Sequence, residues 1–209
     1  MLRIYALWLL ALVVSSGEGA QATALVQAED QRTSGLALRA YAIGEPMDQL
    51  LPLVAGQTPN VSRVIPTLDL EDAELGGLED VFLTEVEGWL VVPEAGEYTL
   101  RLISDDGSEL SLDGKLLIDH DGLHGPQPKD ARITLSQGEH SLRIRHFETY
   151  GGWALKLQWK RPGADSFEIV PSTALACVKG DVKVTAPGFK RVIRPLATTR
   201  PGDGEPLQG

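Results

Sequence analysis

An all-β fold is what this sequence predicts: a two-sheet antiparallel β-sandwich, jelly-roll-like in outline, followed by a flexible C-terminal tail. Three observations carry that expectation. From Val81 onward, short apolar–polar alternations recur between turn signals built of Gly, Asp and Pro. No stretch sustains the 3.6-residue period of an amphipathic helix. Finally, 43% of the 209 residues are hydrophobic, enough to fill a core between two sheets.

Residues 1–22 read as a signal peptide. Arg3 supplies a positive charge, and Ile4 to Val14 is continuously apolar. Ala20-Gln21-Ala22 has the small-x-small pattern of a cleavage site, so the mature chain is expected to begin at Thr23. The apolar run is about half of what a membrane-spanning helix needs, which makes a single-pass anchor the minor alternative. The expected localisation is secreted, periplasmic or cell-surface. Asn60-Val61-Ser62 is a glycosylation sequon, meaningful only in a host that glycosylates it.

A domain is expected over residues 33–175. Gly35 to Ile43 forms its first strand, with Leu36, Leu38 and Ala40 on one face. Glu45 to Asp80 reads as a long irregular surface excursion, broken by four prolines and closing on an acidic run. Phe82 to Val92 is a strand stopped by Pro93. Tyr98, Leu100 and Leu102 then face one side, with Thr99 and Arg101 on the other. Asp105-Asp106-Gly107 turns the chain, and Asp113-Gly114 makes a tight hairpin into Lys115 to Asp119. Ile133 to Leu135 is a short strand; Leu142, Ile144 and His146 alternate with Arg143 and Arg145. After Gly151-Gly152, the series Trp153, Leu155, Leu157, Trp159 is the cleanest alternation in the chain. Residues 176–209 turn to Lys, Arg, Pro and Gly and read as a linker or tail leading to a possible further domain.

The net charge of −10 argues against nucleic acid and anionic membrane surfaces as partners, since both repel an acidic surface. The acidity lies in the body: residues 23–180 carry 13 Lys/Arg against 25 Asp/Glu, and residues 181–209 carry 5 against 3. Cys177 is the sole cysteine, so no intrachain disulfide forms; it has no base beside it and reads as a small, partly buried hydrophobe.

An ordered set of motifs resembles the PA14 domain, named after a fragment of anthrax protective antigen. The set is Gly88-Trp89-Leu90 with Pro93, Gly96-Glu97-Tyr98-Thr99-Leu100, Ser104-Asp105-Asp106-Gly107-Ser108 and Leu112-Asp113-Gly114-Lys115. Leu135, Gly138, His140, Gly151-Gly152-Trp153 through Trp159, Pro162-Gly163 and Ile169-Val170-Pro171 continue it. The resemblance covers about two-thirds of the chain and implies a β-sandwich, the class already read from the alternation. In the lectin-like members it implies a cis-linked Asp-Asp pair holding Ca²⁺, which grips sugar hydroxyls. Carried onto this chain, the metal site is Asp105, Asp106 and carbonyls of Gly151 and Gly152. The ligand-binding set is Asp105, Asp106, Tyr150 and Trp153, the two aromatics offering stacking faces. Adjacent carboxylates on an ordinary strand point to opposite faces, so sharing an ion requires the cis bond that the resemblance supplies. Two departures stand out. The family's lectins take an Asn from the second loop, whereas the only Asn here is Asn60, and Ser111 stands where an aromatic is frequent.

Other constellations are weaker. His120 and His124 could ligate a metal, but Gly122 and Gly125 make their segment a surface loop. Trp89 and Trp159 read as core. No nucleophile elbow, phosphate-binding loop or His-Glu-x-x-His motif is present, so no catalytic residue is assigned and no enzyme activity is expected. The leading expectation is a non-catalytic carbohydrate-binding module of an exported protein, with a glycan or polysaccharide as partner and Ca²⁺ as the candidate cofactor. The alternative is a metal-free structural or protein-interaction module attached to a larger secreted enzyme or surface protein. A small hydrolase would need a cleft with a perturbed acid pair.

Overall fold

In a computed structural model of the chain, residues 32–178 are described, apart from 54–55 and 73–74. The expected signal peptide and everything beyond Val178 lie outside the described residues. Among those described, the regular secondary structure is strand throughout, apart from one 3₁₀ turn at Ser172–Ala174. No helix there is long and apolar enough to cross a membrane.

Two antiparallel sheets form the sandwich. The larger holds β1 (Arg32–Ser34), β2 (Leu36–Ala42), β3 (Val61–Ile65), β5 (Phe82–Val92), β7 (Ser108–Leu112), β8 (Lys115–His120), β10 (Gly138–Glu148) and β13 (Leu175–Val178). The smaller holds β4 (Asp69–Glu71), β6 (Gly96–Asp105), β9 (Gln127–Leu135), β11 (Ala154–Lys160) and β12 (Glu168–Ile169). Strand β5 is the hub of the larger sheet. It pairs with β10 along its whole length, and on its other side with β2 and then β13.

The alternations place the core as expected. Tyr98, Leu100 and Leu102 of β6, Leu142 and Ile144 of β10, and Leu155, Leu157 and Trp159 of β11 are all buried between the sheets. Trp159 packs against Tyr98, ring centroids 5.7 Å apart, and its indole N–H donates to Glu168. The Asp113-Gly114 hairpin also forms: both residues take positive φ, 50° and 72°, the geometry that matches the twist of paired strands.

Three expectations change. Glu45 to Asp80 is not wholly irregular, because β3 and β4 lie within it; strands of three to five residues between prolines are too short to show a period. Trp89 is not core. It sits on the outward parity of β5, half-exposed beside Glu87 and Arg143 on the outer face of the larger sheet. The sheet also runs past residue 175: Ala176 pairs with Trp89, and Cys177 is 1% exposed.

Candidate functional site

The site is built where the chain passes from one sheet to the other. Strand β6 of the smaller sheet ends at Asp105, and β7 of the larger begins at Ser108. Between them Asp105-Asp106-Gly107 turns tightly, and the Asp105–Asp106 peptide is cis. The turn is closed by a 2.7 Å hydrogen bond between the buried hydroxyls of Ser104 and Ser108. Gly107 is required by packing: a Cβ there would lie 2.5 Å from the Phe147 ring and 2.7 Å from the Gly122 amide nitrogen. The Gly107 carbonyl also accepts from the Phe147 N–H.

Asp106 is 8% exposed and gripped by two loops. Its Oδ1 accepts from the backbone N–H of His124, and its Oδ2 from that of Thr149. Thr149 is held in turn by Met47, whose carbonyl accepts from its hydroxyl at 2.5 Å. On the other side, fully buried His146 donates from Nε2 to the Asp105 carbonyl, 2.8 Å away. Burial drives the His146 pKa down to about 4, so the ring is neutral and acts as a fixed donor at neutral pH.

The sequence reading did not anticipate Glu148. It is fully buried at the end of β10, and neither carboxylate oxygen has a hydrogen-bond partner. One oxygen from each of Asp105, Asp106 and Glu148 lies within 4.8 Å of the others. Burial, then the charges of Asp106 and Asp105, push the Glu148 pKa up to about 8, against the opposing effect of the nearby Asp106 amide. Asp105 is shifted upward as well, by burial first and by Asp106 second. Three crowded carboxylates, one of them buried and meeting no donor but the nearby Asp106 amide, form a set of hard oxygen donors suited to Ca²⁺.

The other expected site residues divide. Gly151 and Gly152 lie on the adjoining loop, where Gly151 has φ +111° and donates its N–H to Asp80. Tyr150 is 66% exposed, its ring free to meet a ligand. Trp153 is not available as a stacking platform: it is 4% exposed and packs edge-on against Phe82, centroids 5.5 Å apart. Its backbone N–H is taken by Asp72 Oδ1 at 2.8 Å. His120 and His124 stack on each other at 3.9 Å and join no group of three or more potential metal ligands among the described residues.

A family model described as the PA14 domain matches residues 46–173, more than half of the chain. The chain belongs to the PA14 family. Solved structures agree on its fold. The PA14 domain of the MpAFP antifreeze protein matches with a TM-score of 0.61 at 14% identity, over 69% of this chain and 91% of that one. A PA14 sugar-binding domain from an RTX adhesin matches with 0.59 at 19% identity, over 68% and 98%. The Epithelial Adhesin 9 A domain from Candida glabrata, in complex with Galβ1-3GlcNAc, matches with 0.55 at 9% identity, over 71% and 91%. No curated protein sequence matches the chain.

Proposed function

We propose that this PA14 domain is a non-catalytic carbohydrate-binding module of an exported protein, and that Asp105, Asp106 and Glu148 hold a Ca²⁺ ion at its binding site. The observation that carries the reading is Glu148: a buried carboxylate without a partner, facing two further carboxylates, calls for a cation. A bound Ca²⁺ takes about 6–8 oxygen ligands and would leave positions for two vicinal sugar hydroxyls. The chain's own groups do the rest. His146, His124 and Thr149 fix the acid pair; the Gly151 and Gly152 carbonyls on the adjoining loop would complete the shell, and exposed Tyr150 would offer its ring to the sugar. Glu148 also replaces the missing loop Asn as an oxygen donor. Two of the fold relatives are described as sugar-binding or hold a disaccharide, which is consistent with the reading.

Hydrolysis fits less well. Glycosidase acid pairs stand about 5–9.5 Å apart across an open cleft, whereas these oxygens crowd within 4.8 Å and Glu148 is sealed from solvent. The test is calorimetric titration of CaCl₂ into the metal-stripped full chain, followed by glycan-array retention in Ca²⁺ and in EGTA. Saturable Ca²⁺ binding, lost in Asp105→Asn/Asp106→Asn together with retention, supports the module. Absent Ca²⁺ binding would overturn the cation site and favour a metal-free structural role.

A further inference from the structure

A second, smaller core lies apart from the one between the sheets. Tyr41 of β2, Leu83 of β5 and Phe147 of β10 stand in one row across the larger sheet, on the same outward parity as Trp89. All three are nonetheless buried, because Ile43 and Met47 close over them and Leu50 packs alongside. Residues 45–50, which carry most of that cover, make no strand. This strap is held by the apolar cluster and a few hydrogen bonds, so it can lift without breaking a strand pair of either sheet.

Those bonds run to the cation site. The Thr149 hydroxyl accepts from the Met47 N–H at 3.3 Å and donates to the Met47 carbonyl. The Thr149 N–H in turn holds Asp106 Oδ2. The Leu50 N–H donates to Asp121 Oδ1, 2.8 Å away, on the loop whose His124 N–H holds Asp106 Oδ1. Phe147 of the same cluster is the ring against which Gly107 packs. Both amides that grip Asp106 therefore sit on loops tied to the strap, and the residue after Asp106 rests on the cluster the strap covers.

We propose that residues 45–50 are the positioning element of the cation site, and that strap docking and Ca²⁺ binding strengthen each other. This rests on the cation-site reading above. Met47 acts through Thr149 and Leu50 through Asp121, so both are positioning residues. With the strap lifted, Thr149 and Asp121 each lose a bond that fixes them, and the Asp106 carboxylate loses its rigid seat. The effect is reciprocal by linkage: the factor that the docked strap adds to Ca²⁺ affinity is the factor that bound Ca²⁺ adds to docking.

Amide hydrogen exchange of the full chain, read residue by residue by NMR in CaCl₂ and in EGTA, tests one direction. Exchange at Met47 and Leu50 is expected to slow by about tenfold with Ca²⁺. The Asp113 N–H, bonded to the Ser141 carbonyl at the far end of β7, is expected to change less. Calorimetric titration of Ca²⁺ tests the other direction. Met47→Ala and the milder Leu50→Ser weaken the apolar anchor and keep both backbone N–H groups; each is expected to lower Ca²⁺ affinity, by up to about tenfold. Leu135→Ala, in the main core opposite Gly96 at the other end of β6, is expected to lower the melting temperature and leave Ca²⁺ affinity as it was. Ca²⁺ binding with unchanged exchange at Met47 and Leu50, or with native affinity in both strap variants, overturns the coupling. So does an equal loss of affinity in Leu135→Ala, which would trace the effect to overall stability. No Ca²⁺ binding by the native chain overturns the cation site itself, and the role of the strap with it.

Discussion

Two regions of this domain handle buried or half-buried carboxylates in opposite ways. On the outer face of the larger sheet, neighbouring strands carry charges of opposite sign in register. Arg39 of β2 bonds Glu87 of β5 at 2.6 Å, Arg143 of β10 bonds Glu85 of β5, and Arg145 approaches Glu109 of β7. At the junction between the sheets, Asp105, Asp106 and Glu148 converge with no Lys or Arg bonded to any of them among the described residues. The ladder's charges are balanced within the fold, whereas those of the cluster are not. Acidity alone marks neither region, and what separates them is that the ladder's carboxylates each meet an arginine, whereas those at the junction meet only backbone N–H groups or, at Glu148, no hydrogen bond of normal geometry.

The largest expected effect concerns pH in the metal-free protein. Glu148 has a folded pKa of about 8, raised from 4.5, so the folded state holds its proton more tightly than the unfolded state. Stability is therefore greatest below pH 4.5 for this group and is lost as pH rises toward 8, by roughly 3–5 kcal/mol in total. Urea midpoints in EGTA at pH 5 and pH 8.5 measure the loss. Glu148→Gln is expected to flatten it, and an unchanged slope in that variant assigns the titration to another group.

Calcium should offset much of that penalty. At a free concentration 100 times its Kd, binding to the folded state adds about 2.7 kcal/mol, or about 5–10 °C in melting temperature for a domain of this size. Melting curves in 5 mM CaCl₂ and in EGTA would show the difference in the native protein and none in Asp105→Asn/Asp106→Asn.

Next in size is Gly107→Ala. The added methyl would press on the Phe147 ring and the Gly122 backbone, at a cost of about 1–3 kcal/mol by denaturant titration, with weakened Ca²⁺ binding as the turn shifts. The smallest effect belongs to the ladder. A double-mutant cycle on Arg145 and Glu109 is expected to give about 0.2–1 kcal/mol of coupling, with no change in Ca²⁺ affinity. A change in affinity there would end the separation drawn between the two regions.

Much of this was legible in the residues. The period-two series fell on the inward faces of β6, β10 and β11, and the Asp113-Gly114 turn fell at the β7–β8 hairpin. The same parity could have gone further. Leu142, Ile144 and His146 mark the inward face of β10, and Glu148 is the next position on it, a carboxylate aimed at the core. Likewise Trp153 opens the inward series of β11, which is why it packs on Phe82 rather than facing a ligand. What the residues could not show is long-range pairing. Asp72 and Asp80 looked like part of an acidic run, and only the folded chain brings them onto the backbone amides of Trp153 and Gly151. Short β3 and β4 were hidden for the same reason, since they are specified by their partners β2 and β11.

The two ends of the described domain are neighbours. Strand β1 lies beside β13 in one sheet, tied by the Gly35 N–H to the Leu175 carbonyl at 3.1 Å and by the Ser34 hydroxyl to the Ser172 carbonyl at 2.7 Å. A chain that enters and leaves through adjacent strands can be spliced into a surface loop of a host protein without prying that loop apart. The domain is thus shaped as a cassette.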